Sequence, residues 1–327
     1  DDYHLSNYSP AIGAGTSDGA PTTDINGNLR PNPDGSNPDM GAYENSLPSQ
    51  LPKAGTIADG LGTDVDWSNS VSSLSANWAP FTDNAAVAYE YAVGTSTNAL
   101  ADVLDWTSNS ANTSVTKTGL TLTEGSTYYV SVRATDTDSQ LSDTTTTDGV
   151  TIDTDVPVIS VVSEGSITED IDFQNSDSTI IISWSGEDNA SGIFTYENAL
   201  GSTPGGIDIW GWSFKGTATA DTLSGLNLTE NQTYYVSVRA TDNAGNVSDI
   251  MTGDGILIDM TAPVTESILD GSGEDLAFIG SDSTLTANWS DFRDLVSGVA
   301  GYEIAVNDGN VYPWTWIGSV LSHTITG

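Results

Sequence analysis

The chain has 327 residues, with 45 acidic side chains against seven basic ones and a formal net charge of −38. Such a surface repels phosphate backbones and anionic headgroups, which excludes nucleic acid as a partner and speaks against direct membrane insertion. Cysteine is absent, so disulfide scaffolds and thiol chemistry are excluded, while 37% hydrophobic residues, nine Trp and twelve Tyr supply material for folded cores.

Residues 1–50 are rich in Pro, Gly, Asn and Asp and share no repeat with the rest of the chain. Beyond them the chain repeats itself. The ten residues Thr127 to Asp136 return letter for letter at Thr233 to Asp242, a shift of 106 positions. The same shift carries Trp78 to Trp184, Trp106 to Trp212 and Pro157 to Pro263. A period of about a hundred residues marks tandem copies of one domain, each long enough to close its own core. The expected boundaries are 1–50, 51–156, 157–262 and 263–327. The last copy stops at Gly327, the counterpart of Gly119 and Gly225, so it is expected to be incomplete and the chain to be a piece of a longer protein.

Within each copy, short alternating runs between turn residues predict strands and an all-β chain. Leu74, Ala76 and Trp78 alternate with polar residues, as do Ile180, Ile182 and Trp184, then Leu285, Ala287 and Trp289. A second strand comes next at Tyr89, Tyr91 and Val93, at Tyr196 and Leu200, and at Tyr302, Ile304 and Val306. In the repeated strand, Tyr128, Val130, Val132 and Ala134 share one face, and Tyr129, Ser131 and Arg133 the other. One buried and one wet face is what an antiparallel sandwich requires.

The runs Leu-Ser-Ala-Asn-Trp (74–78), Tyr-Glu-Tyr-Ala-Val (89–93) and Leu122 followed six residues later by Tyr128 resemble a fibronectin type III domain. The resemblance implies tandem fibronectin type III-like (Ig-like) β-sandwiches with a core Trp and a tyrosine corner, in which a buried ring sends its hydroxyl to the backbone. Leu228 and Tyr234 repeat the corner. The endings at 240–248 and 258–264 resemble repeats of large bacterial surface proteins. In the N-terminal segment, Asp2-Tyr3-His4-Leu5, Ser9-Pro10-Ala11-Ile12, the run 24–31 and the run 38–44 resemble the closing segment of right-handed parallel β-helix proteins of the choice-of-anchor kind. That resemblance implies the end of a parallel β-helix whose coils lie upstream; Gly13 departs from it, since the family often has Asp there.

Chemistry is sparse. His4 and His323 are the two histidines and lie in different segments, so a nucleophilic triad has no support, and no phosphate loop or zinc spacing is present. Abundant acids and loop-rich β-domains make Ca²⁺ the candidate ligand, because it takes six to eight oxygens from loops. The recurring positions are Asp64, Asp170 and Asp275 near the start of each copy, and Asp153, Asp155 and Asp259 in the linkers. Asp24, Asn26 and Asn28 form a further Asp-x-Asn-x-Asn run, without the rest of an EF-hand loop. Asp and Asn also simply make turns. Arg133 and Arg239 share one repeat position and are expected to stack on an aromatic or pair with a cross-strand acid. The pairs Trp210/Trp212 and Trp314/Trp316 each point to one face, for packing across the sandwich or for stacking on surface glycans.

The expected protein is therefore a non-enzymatic, structural or adhesive segment of a bacterial extracellular or cell-surface protein: a stalk, fibre or adhesin, stiffened by Ca²⁺. Its expected partners are neighbouring domains of the same chain or other copies in a fibre. Two alternatives stand. The copies are accessory modules of an exported polysaccharide-degrading enzyme with a catalytic β-helix upstream, or the chain is a subunit of a strand-complemented filament.

Overall fold

The computed structural model describes residues 3–265, 267–281, 283–307 and 309–326. Asp2 of the N-terminal motif and Gly327 lie outside them. Every regular element among the described residues is a β-strand, because the alternating sequence exposes one face and buries the other at period two. By compactness the chain divides into two units. One holds Asp1–Pro157 with the loops Asp188–Ile193 and Thr241–Val247, and the other holds Val158–Glu187, Phe194–Ala240 and Ser248–Gly327.

The first repeat packs two sheets. Strands Ile57–Asp59, Ser73–Trp78 and Ser114–Thr118 form one, with Ser73–Trp78 in the centre. The other runs Trp67–Ser68, Val150–Ile152, Thr127–Asp136, Val87–Gly94, Leu104–Ser110, with Thr145–Thr146 beside the repeated strand. The second repeat has the same order, with one short strand more at the edge of the first sheet: Glu169–Asp170, Val158–Ser166, Thr179–Glu187 and Ala220–Ser224, against Phe173–Gln174, Ile256–Ile258, Thr233–Asp242, Ile193–Gly201 and Trp210–Phe214, with Met251–Thr252 beside the repeated strand. This is the fibronectin type III-like sandwich expected from the sequence. In the third repeat Ile268–Asp270, Thr284–Trp289 and Ser322–Thr326 pair in one sheet, and Tyr302–Val306 with Tyr312–Gly318 in another.

The core obeys the alternation. Ala76, Trp78, Tyr89, Tyr91, Val130, Val132 and Ala134 form one buried cluster, and Leu74, Val93, Leu122, Tyr128, Val150 and Ile152 a second. The Trp of each repeat meets a Tyr edge-on, with ring centroids 5.6 Å apart for Trp78–Tyr89, 6.1 Å for Trp184–Tyr196 and 5.5 Å for Trp289–Tyr302. The tyrosine corner is present twice: the Thr123 N–H donates to Tyr128 Oη at 2.9 Å, and the Thr229 N–H to Tyr234 Oη at 2.9 Å. Tyr234→Phe removes that acceptor and leaves the Thr229 N–H without a partner, so it should cost about 1–3 kcal/mol. Chemical denaturation measures this, and an unchanged midpoint would remove the corner from the account.

Residues 3–50 carry one isolated bridge, Thr23 to Leu29, and no strand or parallel coil. Their interior is polar. Ile12 and Pro38 are buried beside Asp24, Asp39 and Glu44. Arg30 Nε meets Glu44 Oε1 at 2.6 Å, and Asp39 accepts the N–H groups of Gly13 and Asn45 at 2.7 and 2.6 Å.

Candidate functional site

The outer face of the repeated strand is closed off by its own chemistry. Arg133 donates Nε and Nη2 to Glu90 Oε2 at 3.0 and 2.8 Å, and its guanidinium lies 4.0 Å from the Trp106 ring centroid. Arg239 repeats this with Glu197 at 2.8 Å and Trp212 at 4.5 Å. Stacking and pairing, expected as alternatives, occur together, because the guanidinium can offer its plane to the indole and its edge to the carboxylate. Both cations are thereby committed within the fold.

The linkers are held by carboxylates. Asp153 is fully buried; its Oδ1 accepts the Asp155 N–H at 3.0 Å and its Oδ2 the Ser191 N–H at 2.9 Å. Asp259 does the same with Thr261 at 3.1 Å and Ser297 at 3.0 Å. Asn246 Nδ2 donates to the Asp153 carbonyl at 2.9 Å. Glu124 accepts the Thr154 N–H and hydroxyl at 2.8 and 2.6 Å, and Glu230 accepts the Met260 N–H and Thr261 hydroxyl at 2.9 and 3.0 Å. The linker ahead of repeat one uses a neutral donor instead: Ser49 Oγ donates to Asp136 at 3.2 Å.

Asp153, Asp188 and Asp242 converge within 4.8 Å. Both Asp153 oxygens already have donors, and Asp242 takes the N–H and the Nδ2 of Asn246, both at 2.7 Å. Asp188 Oδ1 accepts the Ala190 and Gly192 N–H groups at 3.1 and 2.7 Å. Asp155, expected as a linker ligand, is exposed and supplies its N–H. Of the expected linker acids only Asp153 belongs to this group, and backbone amides and an asparagine satisfy most of the oxygens of all three.

Hydrogen bonding to Ser297 holds the Asp259 carboxyl below its ordinary value of 3.8. A depressed folded value contributes stability above the unfolded pKa, and that contribution is lost as pH falls through the folded one. The second linker should therefore loosen only in acid below about pH 4. The Ser297 amide shift, followed by NMR, should titrate with a midpoint below 3.8; a midpoint above it would contradict the clamp.

Asp24 makes a turn. Its Oδ1 accepts the Asn26 and Asn28 N–H groups at 2.9 and 2.8 Å, and its Oδ2 accepts Asn28 Nδ2 at 2.9 Å and the Glu44 N–H at 3.2 Å. Burial opposes its charge, but these donors outweigh burial and bring the carboxyl down to about 2. Asn26 and Asn28 thus act as donors to Asp24, a different geometry from an oxygen cage.

The start-of-repeat acids sit differently. Asp64 Oδ1 caps the Asp59 N–H at 2.7 Å, Asp170 Oδ1 caps the Glu164 N–H at 2.8 Å, and Asp275 Oδ1 the Asp270 N–H at 3.3 Å. A loop carries each around through a glycine at positive φ: Gly60, Gly165 and Gly271 at 85°, 123° and 108°. Asp59, Asp64 and Asp148 gather carboxylate oxygens within 4.8 Å, as do Glu164, Asp170 and Asp254. Burial pushes the carboxyls of Asp59 and Glu164 up to about 7. The sequence singled out Asp64, Asp170 and Asp275; Asp59 and Asp148 gather beside the first and Glu164 and Asp254 beside the second, and these four were not singled out. The recurring Asp/Glu-Gly step at 59–60, 164–165 and 270–271 was the available signal.

Trp314 and Trp316 are 60% and 59% exposed. They line a cleft between the two sheets of repeat three, beside Leu285, Trp289, Tyr302 and Ile304. No helix among the described residues is long and apolar enough to cross a membrane.

No family model matches the chain. Over 205 residues it is 29% identical to exoglucanase B of Cellulomonas fimi, a match covering 59% of this chain and 17% of that protein. The chain thus spans about a sixth of that relative's length. Among solved structures, the chain is similar to the FN1–FN3 domains of chicken CNTN1, at 16% identity and a TM-score of 0.38, over 68% of this chain and 74% of that one. It is similar to the fibronectin(III)-like modules of Clostridium thermocellum CbhA, at 13% identity and 0.38, over 62% and 94%. It is also similar to the central fibronectin-III array of RIM-binding protein, at 18% and 0.23, over 84% and 89%.

Proposed function

We propose that the chain is a non-catalytic run of accessory modules in an exported, polysaccharide-degrading protein, where it spaces and orders its neighbours. The observation that carries this reading is the repeated linker clamp, Asp153 on Ser191 and Asp259 on Ser297. A linker whose carboxylate is buried on backbone amides resists reorientation more than a solvated tether does. The likeness to an exoglucanase over 205 residues supports the polysaccharide context. Fibronectin type III-like domains are typically non-catalytic, and the committed cations Arg133 and Arg239 fit a scaffold. In this reading residues 1–50 are the closing end of an upstream β-helix. Their motifs support it, as does a polar interior with two buried apolar residues, Ile12 and Pro38.

Two measurements test the reading. The chain itself should release no reducing sugar from soluble cellulose or pectin; hydrolysis would overturn the non-catalytic assignment. Asp153→Ala removes the clamp and leaves the Ser191 N–H unsatisfied, at about 1–3 kcal/mol locally. Limited proteolysis should then cut between residues 153 and 157 faster than in the wild type, with the sandwich cores intact. Equal cutting rates would mean that the clamp does not restrain the linker.

A further inference from the structure

Two carboxylate clusters at equivalent places in the first two repeats are built differently from the linker acids and the Asp24 turn. Asp59 and Glu164 occupy one register position: Asp59 pairs with Ala76, two residues before Trp78, and Glu164 with Ile182, two residues before Trp184. Both side chains are fully buried, at 0% exposure. Each keeps one oxygen, Asp59 Oδ1 and Glu164 Oε2, with no hydrogen-bond partner. Their second oxygens are used. Asp59 Oδ2 accepts the Gly149 N–H at 3.1 Å, and Glu164 Oε1 accepts the Val236 N–H at 3.1 Å. Among the described residues no lysine or arginine pairs with either; each instead faces two exposed aspartates.

A buried carboxylate that lacks a cation and keeps one oxygen without a donor is costly, and two like charges beside it raise the cost. Chance placement in one domain would explain one such group. Here the arrangement survives a change of side chain. In repeat one the Val130 N–H donates to Thr147 Oγ1 at 3.0 Å, and Thr147 bonds in turn to the shorter Asp59. In repeat two the counterpart of Thr147 is Gly253, and the longer Glu164 reaches the Val236 N–H directly. A Cβ at Gly253 would lie 2.4 Å from Glu164 Oε2. The lost side chain therefore makes room for the added methylene, and the carboxylate stays in the same place between Asp170 and Asp254.

We propose that each cluster, Asp59/Asp64/Asp148 and Glu164/Asp170/Asp254, is a Ca²⁺ site. The donor set is oxygen only, with no imidazole or thiolate, which selects a hard divalent cation. Oxygens within 4.8 Å of one another suit an ion bound at about 2.3–2.6 Å from each, since opposite ligands are then about 4.6–5.2 Å apart. The free buried oxygen gains its missing partner, and the ion ties the loop after one strand to the 148 or 254 turn of the facing sheet.

The test uses the full chain, freed of metal with a chelator and titrated with CaCl₂ up to about 1 mM at neutral pH, read by calorimetry. Asp64 and Asp148 are exposed, as are Asp170 and Asp254, so their substitution leaves the cores intact. The wild type should bind at both clusters. The pair Asp64→Asn with Asp148→Asn should lose one ion, as should Asp170→Asn with Asp254→Asn, and the four together should lose both. Absence of binding by the wild type would overturn the proposal and leave the buried carboxyls protonated. Binding unchanged in either double variant would overturn the assignment in that repeat. Ions retained by the fourfold variant would place the site elsewhere, the Asp153/Asp188/Asp242 cluster being the next candidate.

Discussion

Trp184→Ala is expected to unfold the second repeat at conditions where the wild type is stable. Trp184 is 1% exposed and packs edge-on against Tyr196. Deleting a buried Trp side chain costs about 3–5 kcal/mol through lost transfer energy and the cavity left behind. That is a large share of the roughly 5–15 kcal/mol that stabilises a domain. The indole N–H has no hydrogen-bond partner, so the loss is one of packing alone. Trp184→Phe should accordingly cost much less. Guanidinium unfolding followed by tryptophan fluorescence should show an early transition for the Ala variant. Equal midpoints for the Ala variant and the wild type would sink the core assignment.

Gly94→Ala is the second large effect, and it is steric. Gly94 ends the strand Val87–Gly94, where the chain turns back over itself. A Cβ there would lie 1.8 Å from the Ala99 carbonyl oxygen and 2.8 Å from the Leu100 carbonyl carbon. Both are backbone, so no rotamer relieves the clash and the strand or the loop must move, at about 3 kcal/mol or more. Gly201 repeats the arrangement, with the Gly206 backbone 2.4 Å from its Cβ position. Gly119→Ala is the control. Its φ is +76° with nothing within 4 Å of the added carbon, so only the left-handed backbone penalty of about 1–2 kcal/mol applies. If Gly94→Ala melts no lower than Gly119→Ala, the close approach is not what requires glycine.

Much of the fold was legible because it is local. Alternation at 74–78 and 128–134 chooses the buried face, and the Leu122–Tyr128 spacing brings a hydroxyl to a backbone N–H five residues away. Arg133 was readable as a structural cation from its place between polar neighbours on the outer face, though not the joint use of Glu90 and Trp106. The close-packed Gly94 and Gly201 were not legible, since nothing nearby in the sequence says where Ala99 or Gly206 returns.

The acids divide along the same line. Their number, their recurrence at 64, 170 and 275, and their presence in the linkers are properties of the sequence by itself, as are the repeat period and the all-β class. Which of them lose water was decided only by tertiary structure. Asp59 and Asp148 are 89 positions apart and meet because two sheets pack face to face. Asp153 is satisfied by Ser191, which the next repeat supplies. Desolvation and hydrogen bonding depend on everything within a few ångströms, most of it distant in sequence, so the charge pattern leaves open which acids are buried and which are paired, and the packing decides it.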